Sequence, residues 1–183
     1  MTDYTSIVLL CEDRQQEVFA RHFLMSRGIE KHQIYPDINP KGKGAGEQYV
    51  REKYPRYVKS YRKKANNLSN ALVVLTDADN LTVQARLQRL DDELQKSGEP
   101  PRAPKERIGL FVPKRNIETW IHFLKNPPVN EEKVYQKFHR DESVCKPYVT
   151  ALAQNYRQPL PETAPASLKT ACRELPRIFP DEV

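Results

Sequence analysis

The sequence predicts an α/β fold, a Rossmann-like and mainly parallel sheet flanked by helices, with a short helical C-terminal extension. Short runs of apolar, often β-branched residues alternate with longer segments whose apolar residues recur every three or four positions. The last forty residues instead contain repeated prolines, which favour short helices. The chain has 183 residues, a length that suits one domain.

Four runs are predicted to be strands. Residues 6–11 and 71–76 are continuous apolar runs, which is typical of strands buried on both faces of a parallel sheet. Residues 107–112 form a third run, closed by Pro113, and residues 32–36 form a weaker fourth. Because helical segments separate these strands, parallel pairing is expected.

The intervening segments have helical periodicity. The first helix is expected to end near Gly28, and the second has Pro55 at or near its first turn. The third covers residues 81–96. A fourth helix follows Asn116, its expected cap, and we predict that Trp120 on this helix belongs to the core.

We predict one domain with two parts, an α/β core at residues 1–125 and a Pro-rich helical extension at residues 126–183 packed on it. The longest apolar run, residues 7–11, is far shorter than the ~20 residues of a membrane helix. Three scattered cysteines without a C-x-x-C pair argue against a disulfide framework or a structural zinc site. A cytoplasmic protein with no membrane partner is therefore expected.

Positive charge is concentrated in one segment of the chain. The net charge is +6, and residues 41–64 contain nine basic and two acidic residues. Such a segment is typical of a phosphate-binding surface, and a solvated helix face is the alternative. The residues predicted here to bind nucleic acid are Lys41, Lys43, Arg51, Lys59, Arg62, Lys63 and Lys64.

Carboxylates follow two of the predicted strands. Glu12 and Asp13 come directly after the first run, and Asp77 and Asp79 follow the run at 71–76. Ligands of open parallel sheets gather beyond the carboxyl ends of the strands, where like charges held together need a cation. An all-oxygen cluster predicts Mg²⁺ or Mn²⁺ as the cofactor. The alternative is that Asp13 and either Asp79 or Asn80 cap the following helices.

A third polar cluster follows the run at 107–112. Glu118 is expected in the first turn of the next helix, where the helix dipole favours an acid. Its functional interpretation is a further metal carboxylate at the same sheet edge, with Lys114 or Arg115 binding a phosphate. The sequence is compatible with both interpretations.

These residues resemble the TOPRIM domain of topoisomerases, primases and related nucleases, over roughly residues 6–125. The resemblance rests on a strand that ends in Glu12 and a later strand that ends in Asp77-Ala-Asp79. Residues 113–120 are similar to an element of small stand-alone prokaryotic TOPRIM proteins, some of which are associated with antiphage systems and ATPase partners.

The resemblance implies specific roles for the acidic residues. Glu12, Asp77 and Asp79 would bind Mg²⁺, and Glu12 would also serve in general acid/base chemistry. Glu118 resembles the additional metal carboxylate of nuclease-type members. Asp13 departs from the family pattern, because TOPRIM glutamates are often followed by Gly.

The predicted function is metal-dependent hydrolysis of nucleic-acid phosphodiester bonds, of EC 3.1 type, by a nuclease or nuclease subunit of an antiviral defence system. Nucleic acid and an ATPase protein are the expected partners. One alternative is a receiver-like phospho-acceptor domain, with Asp77 as the phosphorylated residue. The other is a catalytically silent module that binds nucleic acid or a protein through residues 41–64.

Overall fold

A four-stranded sheet organises the computed structural model, which describes residues 6–65 and 69–180. The strands are β1 (Ser6–Cys11), β2 (Ile34–Ile38), β3 (Asn70–Leu75) and β4 (Ile108–Phe111). They lie in the order β2-β1-β3-β4, and each neighbouring pair is parallel. The predicted α/β class with a parallel sheet is therefore confirmed.

Helices connect the strands and form the C-terminal extension. No helix within residues 6–65 and 69–180 is long and apolar enough to cross a membrane. Short 3₁₀ turns precede β2 and α5. The helices are α1 (Arg14–Ser26), α2 (Gly46–Lys64), α3 (Val83–Lys96), α4 (Ile117–Lys125), α5 (Lys146–Asn155), α6 (Ala166–Cys172) and α7 (Leu175–Ile178).

Apolar side chains cover both faces of the sheet. Because successive residues of a strand point to opposite faces, Leu9 and Val73 belong to one core, and Leu10 and Leu72 to the other. The first core also contains apolar residues of α1, α4 and the C-terminal helices. The second contains those of α2 and α3. This burial on two faces explains why β1 and β3 are almost entirely apolar.

The C-terminal extension shares the first core. Helix α5 packs against α1 and α4, while α6 and α7 contact β4. Trp120 is 2% exposed, as predicted for a core residue, and its indole N–H donates to Ser167 Oγ at 2.9 Å. This hydrogen bond joins α4 to α6, so the extension is anchored to the helix that carries Glu118.

Pro55 lies inside α2 and not in its first turn, so that prediction is wrong. The helix begins at Gly46, nine residues earlier. Tyr54 and Val58 are fully buried in the second core. Their burial holds this helix against the sheet, which outweighs the backbone hydrogen bond that proline removes.

The caps of the helices differ in part from those predicted. Asp13 caps α1, because its side chain accepts a hydrogen bond from the Gln16 N–H at 3.0 Å. Neither Asp79 nor Asn80 caps α3; the cap is Thr82, two or three residues later. Helix capping therefore does not explain why an aspartate occupies position 79.

Candidate functional site

Three acidic residues follow adjacent strands at the same edge of the sheet. Glu12 follows β1, Asp77 follows β3, and Glu118 lies in the first turn of α4 after β4. Since β3 pairs with both β1 and β4, the carboxyl ends of these strands are neighbours. The sheet order therefore places these three acids at one edge of the sheet, where the sequence predicted them.

The carboxylate of Glu12 is held by the end of β3. Its Oε1 accepts hydrogen bonds from Thr76 Oγ1 at 2.5 Å and from the Asp77 backbone N–H at 2.7 Å. Burial raises the pKa of Glu12 to about 7, although these two hydrogen bonds lower it. At neutral pH this group can therefore exist in both protonation states.

The first residue of α2 lies directly against Glu12. A Cβ atom built on Gly46 would be 2.7 Å from Glu12 Cβ and 3.0 Å from Glu12 Oε2. Real Cβ atoms do not approach other atoms so closely, so a larger residue here would displace the glutamate. Gly46 thus brings the N-terminal end of α2 to the acidic edge, the edge of the sheet that carries Glu12, Asp77 and Glu118.

Gln16 connects Glu12 to Asp77, a role that sequence reasoning missed. Its side chain is fully buried; Oε1 accepts from the Glu12 N–H and Nε2 donates to Asp77 Oδ1, both at 2.9 Å. Burial raises the pKa of Asp77 well above its usual value, and the Glu12 charge adds to this effect. The signal was weak, because a glutamine in the first turn of a helix has no distinctive spacing.

Asp79 is more exposed and is paired with Arg86. The side chain of Asp79 is 55% exposed, and Arg86 Nη2 lies 3.1 Å from its Oδ2. Arg86 is 3% exposed, donates to the Asp77 carbonyl at 2.8 Å and forms an ion pair with Glu47. Sequence reasoning missed Arg86, although it falls four residues before buried Leu90 and therefore on the inner face of α3.

The backbone of Asp79 has a positive φ of 54°. Aspartate adopts this left-handed conformation more readily than most residues, but it is still uncommon outside glycine. The turn directs the chain from β3 towards α3 immediately after Asp77. The chain therefore turns at Asp79, and the Asp77-Ala-Asp79 segment does not continue as an extended strand.

Glu118 is the least satisfied charge of the site. It is 1% exposed, and neither carboxylate oxygen hydrogen-bonds to another residue that the structure describes. Burial raises the pKa of Glu118 to about 7, and the charge of Asp13 contributes in the same direction. The start of a helix lowers the pKa of an acid, and the Glu118 backbone N–H does so here, but burial outweighs this effect.

Lys137 of the extension is a basic counterpart of these acids, and no sequence pattern indicated it. Its Nζ donates to Asp13 Oδ2 at 3.4 Å. Burial opposes its charge, but the carboxylates of Asp13 and Glu118 raise the pKa of Lys137 overall. A position inside an irregular segment has no periodicity, so only the tertiary structure places it here.

The ligand atoms at the acidic edge are of the type that a divalent cation prefers, but the side chains described there do not surround a common point. Among the residues that the structure describes, no three His, Cys, Asp or Glu side chains are grouped closely enough to hold a metal ion. The donors are nevertheless all carboxylate oxygens, and those of Glu118 are buried without an outside partner. Glu12, Asp77, Asp79 and Glu118 are the residues that would hold the ion, after side-chain rearrangement.

The predicted basic surface divides into two regions. Lys41 and Lys43 lie in the loop before α2 and are exposed, and Lys41 lines the same cleft as Glu12 and Glu118. Lys59, Lys63 and Lys64 are also exposed, but they lie at the other end of α2. At 1.5 Å per residue they are roughly 20–27 Å along the helix from its start at Gly46. These three lysines do not contribute to the acidic site.

Four other residues predicted to bind nucleic acid are engaged within the protein. Arg51 pairs with Glu47 and Glu93. Arg62 pairs with Glu99 and Glu106. The remaining two lie after β4: Lys114 donates to the Leu81 carbonyl, and Arg115 donates to the carbonyls of Glu132 and Asp79. Their guanidinium and ammonium groups stabilise loops and helix pairs.

A cleft of about 1120 Å³ opens over the acidic edge. Glu12, Asp13 and Glu118 line it, and Lys41 lies on one wall. Residues 137–140 of the extension also line this cleft. The cleft therefore combines carboxylates with basic residues from two separate segments.

Comparisons of the chain with family models, with curated proteins and with solved structures each gave no match. The roles assigned to these residues therefore rest on their own geometry and chemistry. The TOPRIM resemblance stays a prediction from the sequence.

Proposed function

We propose that this chain is a Mg²⁺- or Mn²⁺-dependent phosphodiesterase that cleaves nucleic acid, built on a TOPRIM-like plan. The observation that carries the proposal is the position of Glu12, Asp77 and Glu118 after three adjacent strands at one edge of the sheet. Both carboxylate oxygens of Glu118 are buried and hydrogen-bond to no other residue that the structure describes. Buried acids without partners destabilise a metal-free protein. Such groups are therefore typical of sites that bind a ligand.

A divalent cation bound by these carboxylates would activate water and stabilise charge on the leaving oxygen. The chain's own residues supply the rest of the chemistry. Glu12, with a pKa of about 7, is suited to accept or return a proton at the acidic edge. Gln16 fixes the Asp77 carboxylate, so that Asp77 keeps its orientation beside Glu12.

Basic residues around the cleft would hold the backbone of the substrate. Lys41 and Lys137 line the same cleft as Glu12 and Glu118 and come from two separate segments of the chain. Phosphates bound by them would be fixed in register over the carboxylates without reading the base sequence. The acids alone would repel a polyanion, so these lysines are needed for binding.

A receiver-like role is less well supported. Asp77 would have to accept a phosphoryl group, but it is 7% exposed and its Oδ1 is occupied by Gln16. Lys114, the lysine after β4, donates instead to the Leu81 carbonyl. A catalytically silent module that binds through residues 41–64 does not explain why Glu118 is buried without a hydrogen-bond partner in the described part of the chain. The antiphage setting and the ATPase partner rest on the resemblance alone and stay predictions.

Cleavage of labelled DNA or RNA is the expected activity. The purified chain, incubated with Mg²⁺ or Mn²⁺, should cut at least one of the two, and EDTA should abolish cutting. Glu12→Gln should lower the rate by about 100-fold or more, because the neutral amide cannot accept a proton and offers no negative charge to a metal ion. Gel analysis of end-labelled substrate measures both effects.

The matched control is Glu162→Gln, an exposed glutamate of the extension, which should cleave at the wild-type rate. Equal cleavage by Glu12→Gln and wild type would assign the activity to a contaminant. Absence of cleavage of either nucleic acid, with both metals, would contradict the proposal for the isolated chain.

A further inference from the structure

The wall of the cleft formed by residues 137–140 has a composition of its own. Lys137, Phe138, His139 and Arg140 all line the cleft, as Lys41 does. These residues follow α4 and lie beyond residue 125, outside the region that resembles TOPRIM. The wall therefore belongs to the extension and can give the site a specificity that the α/β core does not supply.

Phe138 belongs to a small cluster of aromatic rings. The His122 ring contacts Tyr135, at a centroid distance of 5.0 Å, and Phe138, at 5.1 Å. The planes of His122 and Phe138 differ by 26°, so these rings are stacked. His122 comes four residues after Glu118 on α4, so one helix supports both the stack and the acid.

The Phe138 ring is half-buried, and it lines the cleft beside the acidic edge. Packing on His122 and on the first core fixes its orientation. A rigid aromatic ring at the border of a polar cleft is a surface on which a planar apolar group can stack.

Cations flank this ring on both sides in the sequence. Lys137 precedes it, and Arg140 follows it in a turn closed by the hydrogen bond from the Asp141 N–H to the Phe138 carbonyl at 3.1 Å. Arg140 has a positive φ of 64°, which is uncommon for a long side chain. Arg140 is exposed, and it lines the same cleft as Phe138.

We propose that residues 137–140 bind an unpaired nucleotide, with its base on Phe138 and its phosphates at Lys137 and Arg140, so that the chain acts on single-stranded nucleic acid. A base can stack on a protein ring only when it has left its own helical stack, as it has in a single strand. This inference rests on the nucleic-acid substrate of the proposed function, and it adds which form of nucleic acid enters the cleft.

Binding in EDTA tests the inference without catalysis. Fluorescence anisotropy would compare labelled single strands of oligo-dT and oligo-U with a DNA duplex of equal length. Simple charge attraction favours the duplex, because it carries more phosphates per unit length. Tighter binding of at least one single strand than of the duplex is therefore the expected result, and the two single strands distinguish DNA from RNA.

Phe138→Leu keeps an apolar side chain in the core but removes the ring face. It should weaken single-strand binding by about 10-fold, and leave duplex binding unchanged, because stacking on one base contributes on this scale. Phe138→Tyr should bind like wild type. Tyr35→Leu is the matched control, since Tyr35 is an aromatic residue 55% exposed on the edge strand β2, away from the cleft.

Melting curves on the same preparations confirm that each variant is folded. Lys137→Ala combined with Arg140→Ala should reduce the dependence of binding on salt, by a slope of about 0.7 for each single-strand phosphate that is no longer neutralised. Equal affinity of Phe138→Leu and wild type for single strands, or tighter binding of the duplex, would overturn the inference. Failure of cleavage with these binding results intact would contradict only the proposed function.

Discussion

Replacing Glu118 with Gln is expected to raise the melting temperature of the metal-free protein at pH 8 and to lower cleavage by about 100-fold or more. Glu118 is 1% exposed, and within the described part of the chain its oxygens bond to no other residue. An ionised carboxylate in this position costs more free energy than a neutral amide of the same shape. The charge that destabilises the metal-free fold is the one that a bound cation requires.

A second buried glutamate is the matched control for this opposite effect on stability and on cleavage. Glu17 is also fully buried, but Arg14 and Arg21 both form ion pairs with it. Glu17→Gln should therefore lower the melting temperature, because it leaves two arginines without their partner, and it should leave cleavage nearly unchanged. Differential scanning calorimetry and the cleavage rate, measured on one preparation of each variant, distinguish the two glutamates. Wild-type cleavage by Glu118→Gln would remove Glu118 from the site.

The melting temperature of the metal-free protein is expected to fall as the pH rises from 5 to 8. The folded-state pKa of both Glu12 and Glu118 is about 7, above the usual 4.5 of an unfolded glutamate. The folded protein therefore binds more protons than the unfolded chain between these values. The stability that these groups contribute is fully present below pH 4.5 and is lost as the pH passes through 7. The two groups together are expected to lower the melting temperature by roughly 10–20 °C.

Mg²⁺ or Mn²⁺ should reverse this fall above pH 7 and have little effect at pH 5. The ion binds carboxylates only after they have lost their protons, so its stabilising effect appears where the metal-free protein is weakest. The double variant Glu12→Gln, Glu118→Gln should show a smaller fall over the same range and a smaller effect of metal, because only the raised pKa values of Asp77 and Asp79 still contribute. A wild-type melting temperature that rises between pH 5 and 8 without metal would contradict the pKa values assigned to these glutamates.

The fold and the acidic edge could be predicted because both depend on local patterns. The continuous apolar runs of β1 and β3 indicate strands buried on two faces, and such strands pair in parallel with helices between them. Parallel pairing places all carboxyl ends at one edge, so acids that directly follow strands meet there. Glu12 and Asp77 were therefore found from their positions in the chain alone.

Other parts of the site could not be predicted, because they depend on tertiary distances. The positive charge of residues 41–64 forms one block in the sequence, but α2 extends it over roughly 27 Å, and only its first part reaches the cleft. Arg62 appears free in the sequence yet pairs with Glu99 and Glu106. Lys137 and Phe138 belong to an irregular segment, whose position is fixed by packing on α4 and has no periodic signal.

Calorimetric titration with Mn²⁺ is the most direct test that the acidic edge is a metal site, because it needs no knowledge of the substrate. Wild-type protein at pH 8 should bind the ion, and the double variant Asp77→Asn, Asp79→Asn should bind it at least about 10-fold more weakly. Asp91→Asn with Asp92→Asn, two acids of α3 remote from the strand ends, should bind like wild type. Equal Mn²⁺ affinity in the wild type and the Asp77, Asp79 variant, or no binding by the wild type, would contradict the assignment.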